Sequence, residues 1–348
     1  MNMQRQKGVT LIELMIGLTI SLIITAVIAT LYLNSTKVFK VEDAVSRLQE
    51  SGRFVTQTLQ QDIRMAGFRG CEGATNKPVN TLNSATGYLY QFDTGVDGFN
   101  GASGSTWVPA LDPSIAALVP APLAGTDVLT IRKTVGGAFG VTAPFMGGNA
   151  AALHVESGNS LAKGDILLIS NCSNSAIIQV TNANPNTSGD IVHAIGGTTV
   201  PGNATPDMKH VFKSDASIYR IVTRTYFIAP SVVRPGVNSL WSNSVPSYTG
   251  VAQPEELAEG IDNMQIKYGV DTDGDKAANT YLDASLLTAV DWANVVSVKL
   301  SLLMSTTSDN VSVGNQTYAF NGGAPITATD KKLHSSVSTV IALRNRTP

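Results

Sequence analysis

At 348 residues the chain is long enough for one large domain or two ordinary ones. A net charge of −2 excludes a global electrostatic pull toward nucleic acid or anionic lipid. Apolar residues make up 43%, which excludes disorder over most of the chain; 14% charged and 6% aromatic residues, with abundant Gly, Ser, Thr, Asn and Ala, suit an exported strand-and-loop protein better than a cytosolic helical enzyme.

The chain opens Met-Asn-Met-Gln-Arg-Gln-Lys-Gly and turns apolar at Val9. No residue from Leu14 to Leu33 is charged, and that run is about the length that crosses a bilayer as a helix. Arg5 and Lys7 precede it and predict a cytoplasmic N-terminus. The run is longer than the apolar core of an ordinary secretory signal, and no Ala-x-Ala site ends it. Glu13 breaks the pattern. A carboxylate so close to an apolar run is either functional, with a partner, or simply hydrated at headgroup level.

Beyond the span, Val38, Val41, Val45, Leu48, Val55, Leu59 and Ile63 recur at helical steps and form one apolar stripe. Gln49, Glu50, Gln57, Gln60, Gln61 and Asp62 fall mostly off it. One helix from about Thr10 to Met65 is expected, roughly 80 Å long at about 1.5 Å per residue. Gly17 and Gly52 are its weak points, and two separate helices are the alternative. The organisation expected is a leader at 1–8, a membrane or fibre-core half at 9–33, an amphipathic half at 34–70, and a β-rich globular domain from 71 to 348.

Past Cys71 the texture changes. The stretch Gly95–Gly148, rich in Gly, Ala, Pro and Ser, predicts loops with little regular structure, apart from a short strand at Asp127–Lys133. Asp165–Asn171 and Ala176–Thr181 flank a turn and predict a hairpin. Ile218–Ile228 is a longer strand. Met264, Ile266, Tyr268 and Val270 alternate with more polar residues, as do Val296, Val298, Leu300 and Leu302, so each run predicts a strand with one buried face. Ser336–Leu343 is the last strand. The fold class is α+β, a long N-terminal helix packed on an antiparallel sheet with large loops. Two cysteines in an exported chain, Cys71 and Cys172, favour one disulfide over two buried thiols.

Asp271-Thr272-Asp273-Gly274-Asp275 is the one metal-type motif. Alternate carboxylates in a loop converge on a hard cation, as in the first half of an EF-hand loop, and calcium is the ion expected. Lys276 stands where a glycine is usual, and Leu282 where a glutamate is usual; Asn279 and Asp283 are later candidates. The alternative is a plain acidic turn. The four histidines, His154, His193, His210 and His334, are scattered without metal spacing. No nucleophile elbow or phosphate loop occurs, so no enzyme is indicated and no cofactor is required. The pairs Arg64–Arg69 and Arg344–Arg346 lack interleaved aromatics, which indicates surface or interface residues and no nucleic-acid site.

Lys7-Gly8-Val9-Thr10-Leu11-Ile12-Glu13-Leu14 resembles the type IV prepilin processing motif. The resemblance implies cleavage after Gly8 by a dedicated peptidase, N-methylation of Val9, and neutralisation of a neighbouring subunit's N-terminal amine by Glu13. Val9 departs mildly from the usual Phe or Met. An ammonium and a carboxylate in an apolar bundle are costly alone and far less so together, which favours one register. Asp62 to Cys71, Gly164 to Cys172, Glu259 to Asp271 and Val340 to Arg346 further resemble strings of PilW-like minor pilins. That resemblance implies a minor pilin that primes a type IV pilus or caps its tip. Its implied partners are other minor and major pilins, the prepilin peptidase/methyltransferase, the inner-membrane assembly machinery and, before assembly, membrane lipid. The chain would cross the inner membrane once, with its domain in the periplasm, before reaching the pilus surface. A minor pseudopilin of type II secretion and a membrane-anchored adhesin are the alternatives.

Overall fold

The computed structural model describes residues 8–72, 77–102, 104, 106–245, 254–312 and 314–346. Of the expected leader at 1–8, residues 1–7 with Arg5 and Lys7 lie outside the described residues.

One helix, α1, runs unbroken over Leu11–Arg64. The apolar first half finds no partner in the chain; burial begins only at Ala44 and continues through Leu48, Gly52, Val55, Leu59 and Ile63. Val38, expected on the buried stripe, is therefore exposed, and Val41 is only half-buried. The helix does not break at Gly52, where it packs closely on the domain. A Cβ there would stand 2.6 Å from the Met304 sulfur.

The domain holds two principal sheets. In the larger, the strand Ser217–Pro230 is the hub. Val128–Gly140 pairs along one side of it, and Ile166–Ser170 and Asn238–Val245 divide the other. Ile166–Ser170 turns back through Ser175–Gln179, the expected hairpin. Its residues alternate between two core clusters, Leu167 and Ile169 on one face, Ile166 and Leu168 on the other, so the run is apolar throughout. The second sheet is antiparallel, in the order Thr280–Leu282, Ile261–Val270, Val295–Ser305, His334–Ala342. One core cluster joins α1 to both sheets, with Leu59 and Ile63 among Ile131 and Tyr226 of the first and Ile266 and Leu300 of the second.

Two expectations need correction. Gly95–Gly148 holds more regular structure than expected: Val96–Gly101 is a strand, and Val128–Gly140 runs well past Lys133. In Val96–Gly101 the glycines serve close approach, not turning. A Cβ on Gly98 would meet the Tyr268 hydroxyl at 1.9 Å, and one on Gly101 would meet the Thr126 carbonyl oxygen at 2.4 Å. At the start of Val295–Ser305 the register shifts, Gly269 facing Ser297 and Val270 facing Val295. Val296 is the extra residue of this bulge; it is buried, but Val295 is the one that joins Val298, Leu300 and Leu302 in the cluster against α1.

Polar groups lock the pieces together. Asp127, just before Val128–Gly140, accepts from Gly101 N–H at 2.8 Å and from Ile266 N–H at 2.7 Å, tying the two sheets. Asp62, counted with the exposed side of the helix, is in fact buried. Its carboxylate pairs with Lys133, accepts from the Tyr226 hydroxyl at 2.5 Å, and has the Arg224 guanidinium at 3.4 Å. Burial pulls the Lys133 ammonium down from its ordinary pKa, and Asp62 opposes that shift. Burial, then Asp62, pushes the Tyr226 hydroxyl up, so it stays a donor. Removing the acid strands a buried cation. Asp62→Ala should lower stability by about 3–5 kcal/mol, read by denaturant unfolding of the detergent-solubilised chain. A loss within the error of that measurement would mean the cluster does not anchor the helix.

Candidate processing and assembly site

Gly8, Val9 and Thr10 are exposed ahead of the first helical turn. Thr10 is the N-cap, with extended backbone at φ −78°, ψ 151°. The Glu13 N–H donates to the Thr10 hydroxyl oxygen at 3.3 Å. In return, Glu13 Oε2 accepts from the Thr10 N–H at 2.9 Å and from its hydroxyl at 3.0 Å. This reciprocal pair is a capping box, and it satisfies backbone donors that the helix start leaves open. Thr10-Leu11-Ile12-Glu13 has the required Thr-x-x-Glu spacing, so the signal stood in the sequence; Thr10 is the functional neighbour that sequence reasoning passed over. Both side-chain bonds fall on Oε2, which leaves Oε1 available to a further donor.

Downstream of Glu13, Thr19, Ser21, Thr25 and Thr30 each return their hydroxyl hydrogen to a carbonyl of their own helix at 2.7–2.9 Å. Polar residues within the apolar run thus present little unsatisfied polarity to lipid. Among the described residues, α1 is the one helix long and apolar enough to cross a membrane, and its apolar window is wholly exposed.

At the far end of α1 the chain must turn back onto the larger sheet. Gly67 and Gly70, at φ 69° and 77°, take the left-handed conformation the turn needs. Cys71 and Cys172 are disulfide-bonded as expected, with Cα atoms 4.7 Å apart and a sequence separation of 101. Arg69 was expected at the surface. It is buried instead, and donates to the Asp93 carbonyl at 2.5 Å. Arg346 likewise turns inward, donating to the carbonyls of Trp292 at 3.1 Å and Ala293 at 2.5 Å.

The acidic loop lies at a hairpin tip, between Ile261–Val270 and Thr280–Leu282. Asp271, Asp273 and Asp275 each offer a carboxylate oxygen, and these atoms lie within 4.8 Å of one another. The loop's own N–H groups already point at them. Asp271 accepts from Gly274 N–H at 2.7 Å and Lys276 N–H at 2.9 Å, and the first of these chiefly holds its carboxyl below the usual range. Lys276 adopts φ 66°, so it makes the left-handed turn that glycine would make at this place. Of the two later candidates, Asn279 is bound into the loop itself, its Nδ2 donating to Asp273 Oδ2 at 3.1 Å, and Asp283 is engaged elsewhere. Asn279 Oδ1 accepts from Thr272 N–H at 2.7 Å, and Asp283 faces Lys267 at 3.5 Å. The donor set is therefore three hard carboxylates open to solvent on one side, which fits calcium better than a softer metal.

The histidines are scattered, as expected. His154 faces Asp190 at 3.3 Å and His193 bonds the Pro206 carbonyl at 3.0 Å. His334 stacks on Tyr318 and lies 3.1 Å from Asp330.

Residues 225–345 match the family of PilW, type IV pilus-assembly protein W. Residues 3–29 match the prokaryotic N-terminal methylation motif. No curated protein and no solved structure matches the chain. The first match covers the upper part of the hub strand and the whole second sheet; the second covers the capping box and most of the exposed apolar window.

Proposed function

We propose that this chain, a PilW-like prepilin-type protein of the type IV pilus, is a minor pilin that primes fibre assembly or caps the tip. The division of α1 carries the reading. Its apolar window is wholly exposed, one carboxylate stands at its start, and its second half is buried in a domain. An apolar rod of this kind is stable in lipid or in a bundle of like helices, and in water it is not. Lipid holds it before assembly, with the N-terminus in the cytoplasm and the domain in the periplasm. A bundle holds it afterwards.

Cleavage after Gly8 frees the Val9 amine, which is then methylated. The capping box uses only Thr10 and Glu13, both beyond the cut, so it survives processing. Glu13 Oε1 receives the ammonium of a neighbouring pilin, and each charge relieves the other in the apolar core. The broad two-sheet head suits a fibre end, where no subunit need stack above it. The chain's work is packing; it makes and breaks no bond. The acidic loop adds a calcium site formed by Asp271, Asp273 and Asp275, which would brace the hairpin tip of the second sheet.

Mass and N-terminal sequencing of the protein from cells should find N-methylated Val9 as the first residue. A chain still beginning at Met1 would reduce it to a plain anchored protein. Glu13→Ala should insert in the membrane normally but enter fibres poorly, as judged by its recovery in sheared pili; normal recovery removes the role given to Glu13. Calorimetric titration of calcium should release heat and raise the melting temperature, and Asp273→Ala should abolish both. A flat titration of the parent chain leaves the loop as a turn.

A further inference from the structure

Where α1 leaves its exposed half, a cleft of about 470 Å³ opens between the helix and two loops of the domain. The helix contributes Lys37 and Lys40, and the domain contributes Lys331 from the loop that precedes the last strand. Among the described residues none of the three has a carboxylate within ion-pair distance. Two acids also line the cleft, and each pairs with a cation. Asp43 pairs with Arg47 at 2.9 Å, and Asp309 with Lys332 at 3.8 Å. The cleft thus presents three uncommitted ammonium groups, with Ser308 beside them as a neutral hydrogen-bonding group.

Its height along the helix is fixed by length. About 35 Å of helix separates Leu14 from Lys37, and the hydrocarbon core of a bilayer is about 30 Å thick. With the uncharged run Leu14–Leu33 in that core, Lys37 and Lys40 emerge at headgroup level. Long cationic side chains there reach phosphate oxygens while their stems stay against apolar surface. Lys37 and Lys40 would meet headgroups on any helix of this pattern. Lys331 would not, since it belongs to the domain and reaches this level only because the loop folds down over the helix.

We propose that the cleft between Lys37, Lys40 and Lys331 binds the phosphate of an anionic phospholipid headgroup in the leaflet facing the domain, and so seats the domain on the membrane before the subunit is extracted. This rests on the reading of α1 as a membrane span. Charge complementarity selects the occupant, three ammonium groups against a phosphodiester at the depth where the bilayer supplies one. Entry into a fibre removes the lipid, so the contact holds the waiting subunit and is given up on assembly.

The test uses the full chain in vesicles. Cys71 and Cys172 are bonded to each other, so Thr329→Cys, exposed and two residues before Lys331 but outside the cleft lining, supplies a single thiol for an environment-sensitive fluorophore. Phosphatidylglycerol is titrated into phosphatidylcholine vesicles, and the emission should change saturably with its mole fraction. Lys331→Gln should demand about fivefold more phosphatidylglycerol for half the change, and the triple variant with Lys37→Gln and Lys40→Gln should respond weakly or not at all. Millimolar inorganic phosphate should not reproduce the signal. An unshifted titration for Lys331→Gln and the triple variant overturns the proposal, as does a full response to inorganic phosphate, which would make this a free-anion site. Insertion is scored separately by resistance to alkaline extraction. Loss of insertion in the parent chain overturns the membrane reading and this proposal together; intact insertion with an unshifted titration overturns the headgroup cleft alone.

Discussion

Asp62 sits two residues from the end of a helix roughly 80 Å long, and the attachment of that helix to the domain turns on its carboxylate. Lys133 and Arg224 come from the two longest strands of the larger sheet, and Tyr226 from the same strand as Arg224. A buried ion pair gains little net stability over a well-packed apolar pair, because both charges lose their water. What it supplies is a single register. The apolar stripe of Leu48, Val55, Leu59 and Ile63 would tolerate sliding or rotation of the rod, whereas a carboxylate shared among one hydroxyl and two cations has one position in which its partners are met.

With the rod fixed at that end, the other end is left without a partner by construction. The same helix is held by a core of ordinary globular character from Ala44 onward and presents bare Leu, Ile and Val before it. The two halves answer to different solvents. The seam between them carries the first lysines after the uncharged run, and the domain folds a loop down to that level. Polar side chains within the bare half are turned back on their own backbone, and Glu13 is tied into the cap of its own helix. The chain by itself therefore satisfies these polar groups without calling on a neighbour.

The helix, its alternation of environments and the hairpin around residues 166–179 were legible because each rests on local periodicity or turn chemistry. So was the division at the N-terminus, where Glu13 is a charge in an uncharged run. The strand Val96–Gly101 was hidden. Its glycines look like breakers, and only the ring of Tyr268 and the backbone of Thr126, both distant in sequence, explain why side chains are excluded there. The bulge at Val296 was invisible for a similar reason, since a register shift is a property of two strands and an alternating pattern describes one. Asp62 was misplaced because helical spacing treats a carboxylate as solvent-facing. Nothing local announces that Lys133, 71 residues on, will come to meet it. Thr10 was legible through its spacing from Glu13 and was overlooked beside the more conspicuous charge.

The bridge between Cys71 and Cys172 also decides how the molecule carries load. In the proposed fibre the subunit would be pulled along its helix, and whatever tension reached the head would cross from α1 into the sheets. Followed along the backbone, the route from Cys71 to Cys172 traverses 101 residues, including strands that would peel one after another. The bridge short-circuits that route. It delivers the pull two residues beyond Ile166–Ser170, which is laced to the hub strand by antiparallel pairing and to its own hairpin partner on the other side. Tension entering there is shared between two neighbouring strands of the sheet, and the Gly-rich run between the two cysteines need not transmit it.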